Sequence, residues 1–239
     1  MSLRPIELQL LATEISRELE GAVVQKVYAP STTRLFLELR VPGRTVLFSV
    51  CSDVKLARVS VVVERSPNPS TPPAWQHVLR RDLTGAKLHD AEALVLRRTM
   101  LLHFTKASRA MMLAFELGSP PSIFLVNEKA KVIAHSIPGR LRIGEAWAPL
   151  GEGEPNVAES RLSGDRPILR LCHAAERLFE KTEYDLRLAE RRAPLISKLK
   201  RLCRTKEKVE TDLARTKDAD RFRREAELLR YHVHEISRG

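Results

Sequence analysis

The stretch SPNPSTPPAWQHVLRRDLTGAKL (66–88) decides the fold. A proline-rich connector, SPNPSTPP (66–73), runs into a short helix, Trp75–Leu83, which Gly85 closes before a new strand starts near Lys87. On its N-terminal side lie strand signals at Val23–Tyr28, at Leu35, Leu37 and Leu39 alternating with polar partners, at Val46–Cys51 after a turn at Pro42-Gly43, and at Leu56–Val63. On its C-terminal side three strand candidates follow near Lys87–Leu96, Thr99–Thr105 and Ala110–Leu117. Ile123–Val126 and Val132–His135 then read as a hairpin around Asn127-Glu128-Lys129. Ahead of all of them, Pro5–Glu20 carries Leu8, Leu11, Ala12, Ile15 and Leu19 at helical spacing, with Pro5 in its first turn and Gly21 as its stop. Short strands joined by short turns, with only two helices, predict an α+β domain whose sheet is mainly antiparallel.

A polar, Gly/Pro-rich stretch, PLGEGEPNVAESRLSGDRP (149–167), breaks this pattern. The expected division is therefore a sheet domain over 1–150, a linker over 151–169, and a helical arm over 170–239. Of the 69 residues from Leu171 to Gly239, 18 are basic and 13 acidic, and the terminal residue is the only glycine. Leu188, Leu195, Leu202 and Val209 recur every seven residues, and Leu199 and Leu213 mark the second seam position, the pattern of a coiled coil. Arg192 and Lys206 also fall on that second seam. Pro194 costs roughly 3 kcal/mol inside a helix, so a kink or a fresh helix start is expected there. A second helical segment, Asp220–Ile236, carries Phe222, Ala226, Leu229, Val233 and Ile236. An isolated arm cannot bury such a stripe, which calls for a returning helix, a second copy or another partner.

Charge narrows the function. Lys+Arg outnumber Asp+Glu by 41 to 30, and residues 191–208 hold eight basic side chains against the single acid Glu207. That field concentrates a polyanion, because each phosphate it neutralises releases condensed counterions. No run approaches the ~20 apolar residues that a membrane span needs. Met1–Glu20 has no secretory-signal pattern, and Cys51, Cys172 and Cys203 lie far apart outside any C-x-x-C, as in a reduced, cytoplasmic protein.

Motifs for catalysis are missing. No P-loop, G-x-G-x-x-G, G-x-S-x-G or H-E-x-x-H occurs. His232 and His234 sit two apart, so on a helix they point to different faces. The expectation is a binding protein with no catalytic residue, metal or cofactor.

Read as one pattern, Asn68-Pro69-x-x-Pro72-Pro73, an aromatic at Trp75, and Leu79-Arg80-Arg81-x-Leu83-x-Gly85-Ala86-Lys87-Leu88 resemble the N-terminal domain of the NFACT family. These are the ribosome-quality-control factors called RqcH in bacteria and NEMF in animals, often labelled fibronectin-binding proteins. Other blocks agree in order: Gly21 with Val24-x-Lys26-Val27-Tyr28, Ala57-Arg58, Ile123-Phe124-Leu125-Val126-Asn127-Glu128, and Ile143-Gly144-Glu145-x-Trp147-x-Pro149. In the arm, Ala219-Asp220-x-Phe222-Arg223, Glu227-Leu228-Leu229 and Arg238-Gly239 are similar to the family's coiled coil. The resemblance implies a glycosylase-like N-domain fold, binding to the obstructed large ribosomal subunit with its rRNA and to tRNA, and support for alanine tailing of stalled nascent chains. In the family the peptide-bond chemistry belongs to the ribosome.

The chain also departs from the family. An Asp-Arg pair that handles tRNA falls on Arg97-Arg98, an acid near the N-terminus on Arg4, and a Gly-Arg-His-Ser-Asn-like run on Gly118–Ser122, one residue shorter. Residues 150–170 leave no room for the family's helix-hairpin-helix module, and its return arm and C-terminal RNA-binding domain have no counterpart in this sequence. The resemblance therefore implies RNA binding, with tailing left without its aspartate.

The residues expected to meet tRNA or other RNA are Arg97 and Arg98, in a turn presenting both guanidiniums, together with Arg80, Arg81 and Arg58. The bland readings are exposed turn charges, and side chains snorkelling over the sheet edge. Along the arm, Arg191, Arg192, Lys198, Lys200, Arg201, Arg204, Lys206 and Lys208 are expected to contact the ribosome, against a solvated coil face. Trp75 and Trp147 read as core. Two other functions fit the fold: a glycosylase-like DNA-binding protein, whose N-terminal proline nucleophile is missing from Met1-Ser2-Leu3-Arg4, and a surface adhesin, for which an export signal is missing.

Overall fold

The computed structural model describes residues 3–118, 120–137, 139, 141–149, 159–164 and 168–236. They form two compact units, Met1–Glu183 and Tyr184–Gly239.

The first unit opens with α1 (Pro5–Leu19), then β1 (Val23–Ser31), β2 (Arg34–Val41), β3 (Arg44–Cys51) and β4 (Arg58–Val62). α2 (Ala74–Leu83) follows the proline connector, then β5 (Lys87–Leu94), a single 3-10 turn at Val95–Arg97, β6 (Thr99–Lys106), β7 (Arg109–Glu116), β8 (Ser122–Asn127) and β9 (Val132–His135). All nine strands join one sheet in the order β4-β3-β2-β1-β5-β6-β7-β8-β9, with every pairing antiparallel.

The unit is built from two like halves offset by 64 residues. Buried Leu11, Ala12, Ile15 and Leu19 on α1 match buried Trp75, Gln76, Leu79 and Leu83 on α2. Both helices stop at a glycine in the left-handed region, Gly21 (φ 76°) and Gly85 (φ 83°), where other residues would be strained. At the seam, Val23 of β1 faces Lys87 of β5. The N–H of Gly21 donates to the Leu88 carbonyl and that of Gly85 to the Val24 carbonyl, both at 2.8 Å. The N–H groups of Val24 and Leu88 return bonds to Ala86 (2.9 Å) and Ala22 (2.8 Å). The sheet curls until Phe48 of β3 and Phe115 of β7 lie 6.4 Å apart between ring centres. A second apolar cluster of Leu101, Ala114, Phe124, Val126, Val132 and Trp147 lies against β6–β9, and Trp75 is buried on α2, so both tryptophans are core.

α3 (Arg170–Ile236) is one helix of 67 residues. The arm was expected to start at 170, yet the first compact unit continues to Glu183. Cys172, Ala175 and Phe179 are buried, so these early turns are core rather than arm. The Glu14 carboxylate caps the helix start from α1, accepting from the N–H groups of Leu171 (3.0 Å) and Cys172 (2.8 Å). The expected linker is also partly built in. Leu162 and Leu169 are buried, and Arg161 grips Glu7, while 151–158 and 165–167 lie outside the described residues.

The second unit carries the rest of α3. The fresh helix start expected at Pro194 does not occur, and the two expected helical segments are one. Proline removes one N–H donor on an exposed helix, and its open carbonyl partner is left to water. The coiled-coil stripe is present and uncovered: Leu195, Leu199, Leu202, Val209 and Leu213 are all exposed, Leu195 to 66%. Among the described residues, no helix is long and apolar enough to cross a membrane.

Candidate nucleic-acid interface

The expected RNA-contacting residues separate into four environments. Arg97 and Arg98 occupy the link from β5 to β6. The Thr99 hydroxyl donates to the Arg97 carbonyl (3.1 Å), the Leu117 N–H donates to the Arg98 carbonyl (2.9 Å), and Arg98 takes a left-handed φ of 47°. A non-glycine residue held there stores strain, which concentrates at ligand sites.

The turn presents one guanidinium rather than two. Arg97 is exposed, with Nη1 3.4 Å from the Pro149 carbonyl. Arg98 turns inward and is half-buried, donating from Nη2 to the Leu3 carbonyl at 3.1 Å. Its Nε is buried with no protein acceptor, and desolvation pulls its pKa below the ordinary arginine value. The contact to Leu3 ties this turn to the start of α1. There Glu7 is fully buried, accepting from the Arg4 N–H (2.7 Å) and from Nε (2.8 Å) and Nη2 (2.7 Å) of Arg161. Burial alone would raise the Glu7 carboxyl, but these bonds, with Arg161 foremost, hold it below the usual range.

Arg58 is corrected outright. It is 0% exposed and sits in a buried ion-pair clamp within the first unit. Its Nε and Nη2 grip the two oxygens of Glu176 at 2.8 Å each, and Nη2 also meets Glu183. Arg34 Nη2 reaches Glu183 at 2.6 Å, the Ser60 hydroxyl donates to Glu176 at 2.6 Å, and the Phe179 ring lies 5.4 Å from the Arg58 guanidinium. Burial would raise the Glu183 carboxyl, but the hydrogen bond and charge of Arg34, and the charge of Arg58, hold it at about 2. No fork of Arg58 is left for a phosphate. The sequence signal was the run of Glu176, Phe179 and Glu183 at spacings of three and four, one helix face with acids among buried positions.

Arg80 is half-buried, its Nε donating to the Val27 carbonyl at 3.0 Å, and so helps seat α2 on β1. Arg81 is exposed and bidentate with Asp82 at 2.8 Å. On the arm all eight expected cations are exposed, and among the described residues only Lys206 has an ion-pair partner, Glu210 at 3.5 Å.

Comparison with known proteins agrees with this architecture. The family described as NFACT N-terminal and middle domains matches residues 6–140. The N-terminal domain of fibronectin-binding protein PavA from Streptococcus pneumoniae is similar, with a TM-score of 0.54 at 20% identity over 68% of this chain and 63% of that one. The N-terminal part of a fibronectin/fibrinogen-binding protein from Streptococcus suis gives a TM-score of 0.53 at 20% identity, over 65% of this chain and 62% of that one. At that identity the likeness is one of fold, and this chain spans under two thirds of either length. No curated protein matches it.

Proposed function

This chain belongs to the family of NFACT N-terminal and middle domains, and on that premise we propose that it is a cytoplasmic RNA-binding factor of ribosome quality control. Its partners in this reading are the obstructed large ribosomal subunit, with its rRNA, and tRNA. The chain positions RNA and leaves peptide-bond chemistry to the ribosome. Support for alanine tailing belongs to the same proposal, with Arg97 standing where the family carries an aspartate.

The observation that carries the reading is the strained turn at Arg97-Arg98. It holds one exposed guanidinium beside one half-buried and free of any carboxylate partner, at the position matching the family's tRNA-handling pair. The basic surface of residues 191–208 adds a sequence-independent attraction for rRNA.

The test is co-sedimentation of the chain with large ribosomal subunits, with and without peptidyl-tRNA, across a salt series. Saturable binding that favours the tRNA-bearing subunit is expected. The pair Arg97→Ala with Arg98→Ala should lower the salt slope by about one to two units, since each phosphate contact contributes roughly 0.7 to 0.9. Weak binding that salt removes uniformly, with an unchanged slope in the variant, would reject the reading. Binding to immobilised fibronectin, run in parallel, covers the activity named for the two solved relatives.

A further inference from the structure

We propose that the first unit carries a second RNA-contact site, at the end of the sheet opposite Arg97-Arg98. β6 runs from Thr99 to Lys106, so at ~3.3 Å per residue the two ends lie roughly 23 Å apart. At the far end the turns joining β6 to β7 and β8 to β9 face the last turn of α2 across a cleft of about 800 Å³. Four cations line it, Arg81, Lys106, Arg109 and Lys129, against the acids Asp82 and Glu128.

Two of the four are already committed. Arg81 pairs with Asp82, and Lys106 Nζ donates to the Arg81 carbonyl at 2.7 Å. That leaves Arg109 and Lys129 exposed and, among the described residues, without an ion pair or side-chain hydrogen bond. Beneath them Met111 and Ile133 supply an apolar floor.

The rim is held in shape. Asn127 Oδ1 accepts from the N–H groups of Lys129 and Lys131, both at 3.0 Å, fixing the β8–β9 turn. Ala107, Ser108 and Ala130 all take left-handed backbone, at φ 46°, 66° and 55°, where Asn or Gly is the usual occupant of such turns. Positive φ at both central residues is what the two-residue β6–β7 turn requires, and it fixes that part of the rim.

Cations above an apolar floor match one nucleotide of a single strand: a phosphate between Arg109 and Lys129, a base against Met111 and Ile133. An acidic peptide would satisfy the cations and leave the floor bare. The assignment rests on the RNA-binding reading above for the class of its ligand, but names residues that reading does not use.

The test uses the full chain and a fluorescein-labelled single-stranded 12-mer RNA, followed by anisotropy over a potassium chloride series. Arg109→Ala with Lys129→Ala should weaken binding about tenfold near 100 mM salt and lower the slope by about 1.4 units, two contacts at roughly 0.7 each. Arg109→Lys with Lys129→Arg should restore the slope. Both side chains are exposed, so the fold should survive, and an unchanged urea midpoint checks it. If the intact chain binds no RNA, the RNA-binding reading and the cleft fall together. If Arg97→Ala with Arg98→Ala lowers the slope and the cleft variant does not, the cleft alone is overturned. Displacement of the RNA by polyglutamate from the intact chain, but not from the cleft variant, would assign the cleft to acidic peptides and overturn it as an RNA site.

Discussion

The sheet unit and the arm carry charge and apolar periodicity alike, and differ in what meets them. In the sheet unit Leu11, Ile15 and Leu19 vanish into the core, and Arg34 and Arg58 are absorbed by Glu176 and Glu183. In the arm Leu195, Leu199 and Leu202 face solvent, and seven of the eight cations between 191 and 208 have no ion-pair partner among the described residues. A buried arginine is a structural element whose loss strands its partners. An exposed one is available to an outside anion and contributes little to folding. The same residue type therefore means stability in one unit and a solvent-facing charge in the other.

The strongest way to break this contrast is Arg58→Ala. It leaves Glu176 without its cation and Glu183 with Arg34 alone, and should destabilise the sheet unit by about 3–5 kcal/mol, read as the urea midpoint of near-UV circular dichroism. A loss below about 1 kcal/mol would mean that the clamp is ornamental and that Arg58 was free for another role.

Acid sharpens the contrast more gently. The Glu183 carboxyl lies at about 2 in the folded chain against an ordinary 4.5, and Glu176 is also lowered. A depressed folded pKa stabilises fully above the unfolded value and fades as pH falls towards the folded one. The sheet unit should therefore lose stability progressively from about pH 4.5 down to about 2. A midpoint that stays flat over that window would contradict the clamp. The smallest effect belongs to the arm: Leu199→Glu should move the sheet unit's midpoint by no more than about 0.5 kcal/mol. A larger shift would make that stripe part of the first unit's core.

How much the sequence showed follows the same division between local and distant. Helix α1 was legible because Leu8, Leu11, Ile15 and Leu19 repeat at the helical period within fifteen residues. The strands were legible from alternation and turn residues. Arg58 was misread because its partners lie 118 and 125 residues away, and nothing beside a strand end announces a carboxylate at that distance. The Arg97-Arg98 turn was visible, but the direction of Arg98 was not, since the contacts to Leu3 and Leu117 set it. That the helix runs on through Pro194 was not legible, since the local cost of roughly 3 kcal/mol is all that a proline shows in sequence. In a helix of 67 residues one missing donor is outvoted by its neighbours.

The offset of 64 residues between the halves makes the first unit an internal pseudo-repeat. A helix, a Gly-Ala step and a strand meander occur twice and are joined through Val23 and Lys87. The two copies differ in what their matching residues meet. The same hairpin in each copy has an arginine at the entry to its second strand, Arg34 in one and Arg98 in the other. The first was spent on Glu183 to anchor α3, while the second, in its strained turn, kept its charge free of any carboxylate. One scaffold thus sets the same residue type at matching positions in two different surroundings, one saturated by a carboxylate and one not.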